Sequence, residues 1–248
     1  MVFTCLNTKP KIMKSRLFLI TLLLSIFTSS VFSHAMWIET LAKGKKGQAQ
    51  EVKIFFGEYE SGKPDSAATW FSNLKEFKLV LTAPNGTTKI LSASPDVFFY
   101  KANFTPDQDG AYKLSIVHEV AAVYDKAKIE YYAFADVSVG KYKTNTNYPV
   151  AAVLTIRPEK HTLATGETSA FQLIYNKAPF AKQKLAIVNP ENKKIEPETD
   201  ADGKFNFKPI LKGTYFLEAF TEDKNPGKLD GKDYEKTWHL VTYTTQVN

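Results

Sequence analysis

Glu51-Val-Lys-Ile-Phe-Phe56 sets the fold class: Val52, Ile54 and Phe56 alternate onto one face, the period of a half-buried β-strand. Gly57 ends the run, and the same alternation returns along the chain. Glu76-Phe-Lys-Leu-Val-Leu81 resumes strand, and Pro84-Asn85-Gly86 is a hairpin turn, because an Asn-Gly pair accepts positive φ. Residues 97–104 and 111–117 read as two more strands joined across Pro106-Asp-Gln-Asp-Gly110. A run rich in Tyr, Phe and Val at 129–139 closes a first unit. The polar stretch from 57 to 73 holds Gly62, Pro64 and an exposed-looking pair, Trp70-Phe71. Its length predicts a short helix or a functional loop.

A turn-rich segment, Gly140-Lys-Tyr-Lys-Thr-Asn-Thr-Asn-Tyr-Pro149, separates this unit from a second one. The second unit opens with Val153-Leu-Thr-Ile-Arg-Pro158 and continues through 169–175, 184–188, 204–207 and 214–220. In its last strand, 237–247, Trp238, Leu240 and Thr242 alternate against His239, Val241 and Tyr243. Short strands at this spacing, with Gly, Pro, Asn and Asp turns and no sustained helical period, predict an all-β protein. The expected architecture is two tandem β-sandwiches, immunoglobulin-like or transthyretin-like, over 34–140 and 151–248, with a linker at 141–150.

Upstream of the strands the chain reads as an export signal over 1–33. Lys14 and Arg16 precede an apolar run at 17–27 that is too short to span a bilayer, and Met13 makes a cleaner start than Met1. Val31 and Ser33 suit the −3 and −1 positions of a signal-peptidase site, so cleavage after Ser33 makes His34 the first mature residue. The expected location is the periplasm, without membrane insertion after cleavage. Removing 1–33 takes away four basic residues and no acids, which lowers the net charge from +6 to +2 and leaves no case for nucleic acid as partner. The only cysteine, Cys5, leaves with the signal, so the mature chain has no disulfide and no thiolate ligand.

A free α-amine and an imidazole on one residue, His34, can chelate a single ion once both are deprotonated. Nitrogen donors of this kind favour Cu(II), then Ni(II), Zn(II) and Co(II). Further ligands are sought among His118, His161 and His239 or a carboxylate such as Glu39 or Glu58, and Met36 could serve Cu(I). His118 shares strand parity with Tyr112, Leu114 and Ile116 and points to an apolar face; His161, in Glu159-Lys-His-Thr, reads as solvated; His239 is the better second ligand. No two histidines have zinc-type spacing. Asp200-Ala-Asp202-Gly203 lacks the later ligands of a calcium loop and reads as a hairpin turn, and Asp230-Gly-Lys-Asp233-Tyr-Glu235 as a hydrated loop. The sequence contains no Gly-x-Ser-x-Gly elbow, P-loop or Gly-x-Gly-x-x-Gly, and no mature cysteine nucleophile; the expectation is a protein that is not an enzyme.

His34-Ala-Met-Trp-Ile-Glu39 directly after a signal resembles the opening of an uncharacterised bacterial periplasmic family. Its members are often catalogued as the periplasmic component of cobalt or nickel transport (NikM-like). Leu154-Thr-Ile-Arg-Pro, Thr165-Gly-Glu167, Pro179-Phe-Ala-Lys-Gln-Lys-Leu and Thr199-Asp-Ala-Asp-Gly-Lys-Phe-Asn-Phe207 are similar to the same family's C-terminal pattern, as is Gly213-Thr-Tyr-Phe-Leu217. That block also resembles the transthyretin-like or carboxypeptidase-regulatory-like sandwich. The resemblance implies a binding protein for uptake or handling of nickel, cobalt or copper, served by a membrane transporter or outer-membrane receptor. The residue reading adds a site with His34, His118 and His239 as metal ligands. The alternative is a structural or interaction module that binds an envelope protein or a glycan and takes no metal; Trp70, Phe71 and Tyr59 are the candidate sugar-stacking rings.

Overall fold

The computed structural model describes residues 34–141 and 152–248. The expected signal at 1–33, and the 141–150 linker apart from Lys141, lie outside the described residues. Regular structure among the described residues consists of twenty strands and two single-turn 3-10 helices, so the protein is all-β. The polar stretch after Gly57 contains a two-residue strand, Lys63–Pro64, and the two 3-10 turns, Ala67–Thr69 and Leu74–Glu76, lie in and just beyond it.

The strand opened by the 51–56 alternation extends over Gln50–Glu58, and Gln50, Val52, Ile54 and Phe56 are buried along one face of it. It pairs on one side with Ala35–Thr40 and on the other with Tyr100–Phe104, within a five-stranded sheet. A second sheet of nine strands has Gly213–Asp223, Lys236–Val247, Ala127–Val139 and Gly110–Glu119 as consecutive neighbours. Ala127–Val139 runs parallel to Lys236–Val247, from Ala127 opposite Lys236 to Ala135 opposite Thr244. This pairing carries one sheet across both halves of the sequence. Flanked on both edges and covered on both faces, Lys236–Val247 is buried from Thr237 to Thr245, as an interior strand must be.

Alternation divides the packing. Tyr132, Phe134, Leu217, Val241 and Tyr243 meet Leu154, Ile156 and Phe171 of a four-stranded sheet in the larger described core. On the opposite parity, Phe216 packs with Ala35, Trp37 and Val188. Ala35–Thr40 therefore sits against the nine-stranded sheet while pairing with the five-stranded one. Its other edge is held by side chains: Thr242 Oγ1 donates to the Met36 carbonyl at 2.8 Å, and Thr244 Oγ1 donates to the Ile38 carbonyl. Buried carbonyls require a donor, and threonine hydroxyls at two-residue spacing meet a strand edge in register.

Candidate functional site

His34 immediately precedes the Ala35–Thr40 strand, so the double anchoring of that strand fixes where the histidine sits. Ala35 lies opposite Gly57, which has φ +142°. A Cβ at Gly57 would stand 2.8 Å from the Asp65 backbone nitrogen, and that nitrogen donates to the Phe56 carbonyl at 2.9 Å. The glycine is thus what lets the 63–65 segment close back over the strand end. The closure brings Asp65 Oδ2 to 3.5 Å from His34 Nε2, with both side chains partly exposed. Phe56 forms the wall behind the imidazole, 5.7 Å between centroids, and is itself backed by Trp70 and Tyr131. Asp65 comes from the polar stretch, where no motif marks it; the signal that could have found it is Gly57, a glycine near the end of a strand, where the chain can fold back on itself.

His118 is buried, as its strand parity predicts, and its Nε2 lies 3.2 Å from Asn73 Oδ1. Burial pushes its pKa down, and the charges of Glu76 and Glu119 offset only part of that. Asn73 also receives the Ala121 N–H and donates to the Glu119 carbonyl, so the contact ties a 3-10 turn to the strand end.

His239 is buried among acids. Its Nε2 is 3.2 Å from Asp223 Oδ2, and its Nδ1 is 3.3 Å from Glu130 Oε2 and 3.0 Å from the Tyr132 hydroxyl. Tyr132 donates a short hydrogen bond to Glu130, Tyr175 donates one to Asp223, and Lys128 pairs with Glu130 at 2.6 Å. A metal ligand must present a bare ring nitrogen, whereas both nitrogens here face carboxylates from opposite sides. The cluster joins the strands Ala127–Val139, Lys236–Val247 and Gly213–Asp223 to Tyr175 of Ser169–Tyr175.

Two sequence expectations are corrected. His161 is not solvated: it is buried, with Nδ1 2.6 Å from Asp136 Oδ2, and the Tyr243 hydroxyl lies 3.2 Å from the same oxygen. Of the pair Trp70-Phe71, only Phe71 is exposed; Trp70 is core, packed on Phe56, Phe77 and Tyr100. Met36 is fully buried and does not reach a surface site. Glu39 accepts from Trp37 Nε1 at 2.9 Å, and Glu58 is exposed. The Asp200 carboxylate caps its own turn, accepting from the Asp202 and Lys204 amides as a hairpin turn should. Among the described residues no three His, Cys, Asp or Glu side chains form a group that could hold a metal ion, so His34, His118 and His239 do not assemble into one centre. What the geometry brings together is His34 with Asp65.

A family model described as "Domain of unknown function (DUF4198)" matches residues 31–223. No curated protein matches the sequence. Solved structures with similarity include trypsin-activated alpha-2-macroglobulin from Escherichia coli, at 12% identity over 85% of this chain and 16% of that one, with a TM-score of 0.29. Another is the native conformation of E. coli alpha-2-macroglobulin, at 10% identity over 86% of this chain and 14% of that one, again with a TM-score of 0.29. The chain thus spans less than a fifth of the length of either protein.

Proposed function

The chain belongs to the DUF4198 family, and from that premise we propose a periplasmic protein that handles a transition metal through His34. Export and cleavage after Ser33 free the α-amine, which together with Nδ1 of the same residue chelates one ion of copper, nickel or cobalt. The observation that carries the reading is the Asp65 carboxylate 3.5 Å from Nε2, the ring nitrogen such a chelate leaves unused. A carboxylate there holds the proton on Nε2, keeps the lone pair on Nδ1 and makes the imidazole a better donor, as outer carboxylates commonly do for metal-bound histidine. The partly exposed position suits an ion that is passed on to a transporter or receptor rather than retained.

The test is a calorimetric titration of Cu(II) and Ni(II) into protein beginning at His34, beside a copy with one extra N-terminal Ala and an Asp65→Asn variant. The expected result is one-to-one binding that the Ala extension abolishes and that Asp65→Asn weakens by about 10–100-fold. Equal binding by the native and extended proteins refutes the terminal chelate. The competing reading, an interaction module for an envelope protein or glycan, is favoured by the exposed rings of Phe71 and Tyr124, which meet edge to face at 6.2 Å. It gains if neither protein binds metal.

A further inference from the structure

At the opposite end of the Ala35–Thr40 strand from His34, the hydroxyl rungs that hold its edge stop. Thr242 bonds residue 36 and Thr244 bonds residue 38; Gln246 and Thr40, next in the same two-residue step, both line the space that follows. In place of a third rung there is a cleft of about 400 Å³, lined by Gln246, Thr214, Thr40, Glu39, Glu51 and Lys53 among others. We propose that this cleft binds a small organic cation, with Glu39 as its counter-charge and Gln246 and Thr214 as hydrogen-bonding partners.

The charges on the lining point to a cation. Glu51 is already met by Lys101 at 2.5 Å and Lys53 at 3.3 Å. Lys53 stands directly across the strand pair from Glu39, but its ammonium pairs with Glu51 and lies over the Phe99 ring, 4.9 Å from its centroid. Glu39 Oε1 takes the Trp37 indole N–H, and its Oε2 receives no hydrogen bond from the described residues. Burial pushes the Glu39 carboxyl up, and the Trp37 hydrogen bond and Lys53 charge only partly offset this. With Oε1 taken by Trp37, the carboxylate has one oxygen open to the cleft for a cation that brings its own N–H donors, and a guanidinium offers these in a planar fork. Gln246 supplies both a donor and an acceptor, and Thr214 lies directly across the strand pair from it. The volume falls near the low end of small-molecule sites, roughly 300–1,000 Å³, which suits a free amino acid or amine. The cleft is built without His34, so it stands or falls separately from the metal reading.

L-arginine and L-citrulline separate charge from shape, because citrulline keeps the length and replaces the guanidinium with a neutral ureido group. Each is titrated into the protein beginning at His34 and into Glu39→Gln and Gln246→Ala variants, followed by amide chemical shifts, with thermal melting to establish that the variants are folded. The expected result is saturable arginine binding with shifts at Thr214 and Gln246, and citrulline weaker by at least about tenfold. Glu39→Gln should remove that preference, and Gln246→Ala should weaken both ligands. Equal binding of the two ligands, a preference that survives in folded Glu39→Gln, or no saturation by about 10 mM arginine overturns the proposal.

Discussion

Replacing Glu130 with Gln tests whether the acid cluster around His239 holds the nine-stranded sheet by charge or merely fills space. Burial alone would push the Glu130 carboxyl up, but hydrogen bonds from His239, Lys128 and Tyr132 outweigh it and hold the pKa down at about 2, against 4.5 for an ordinary glutamate. The side chain is 17% exposed, so solvent screens these contacts little. A difference of about 2.5 pKa units corresponds to about 3 kcal/mol of folding stability, an order-of-magnitude figure. The sign follows from the direction. A carboxyl whose folded pKa is depressed contributes fully above the unfolded value, near 4.5, and loses that contribution as pH falls toward 2. Urea unfolding of wild type and Glu130→Gln, followed by tryptophan fluorescence at steps from pH 7 to pH 2.5, should therefore show a gap that closes on acidification. The expected gap at pH 7 is about 2–3 kcal/mol, and it narrows once pH passes below 4.5. A gap of constant size at every pH would mean that the loss is one of packing. No gap at pH 7 would mean that the cluster contributes nothing, and either result refutes the reasoning.

Gly57→Ala should lower stability by about 1–3 kcal/mol, because the residue has φ +142° and its new Cβ would meet the Asp65 backbone nitrogen at 2.8 Å. If the 63–65 closure positions Asp65, the same variant weakens metal binding at His34 with no ligand removed; calorimetry on the folded fraction reads this out. Glu218 gives the opposite pH signature to Glu130: burial, with Glu60 adding to it, pushes its carboxyl up to about 7. An acid raised in the folded state loses stability as pH climbs from about 4.5 through 7, so Glu218→Gln should leave stability unchanged near pH 4 and raise it increasingly toward pH 8. A stabilisation equal at both pH values would trace to something other than ionisation.

The fold class was legible because alternation is a local property. Val52, Ile54 and Phe56 announce a strand wherever the chain later places it, and the Asp200–Gly203 and Asn85–Gly86 turns are set by side chains within four residues: Asn85 Oδ1 accepts the Thr87 amide, and Asp200 Oδ1 those of Asp202 and Lys204. The histidines show where locality ends. His118 could be placed on the buried face from its parity, but its partner Asn73 is 45 residues away. His161 looked solvated because Glu159 and Lys160 surround it in sequence, whereas its surroundings in space are Asp136 and Tyr243. The legible half of that contact was Asp136 itself: a carboxylate within the apolar run Phe134-Ala-Asp-Val137 must find a proton donor once the strand is buried. Trp70 and Phe71 are adjacent and equally aromatic, and only the direction of the chain leaving the Ala67–Thr69 turn decides which enters the core.

The same distinction bears on how a chain terminus can act as a ligand. An N-terminal residue ordinarily frays, and a ligand that frays loses affinity to the entropy of ordering it. Here the residue after His34 begins a strand held from two directions, by backbone pairing to Gln50–Glu58 and by the hydroxyls of Thr242 and Thr244. Those threonines lie more than 200 residues downstream, and their strand is set in the nine-stranded sheet by the pairing that joins the two halves of the chain. The strand that carries these threonines therefore fixes the start of the Ala35–Thr40 strand, and with it His34, in place. A break in the Ala127–Lys236 to Ala135–Thr244 register would release the His34 end as surely as a substitution beside it, which couples integrity of the whole described fold to the geometry of a site at its beginning.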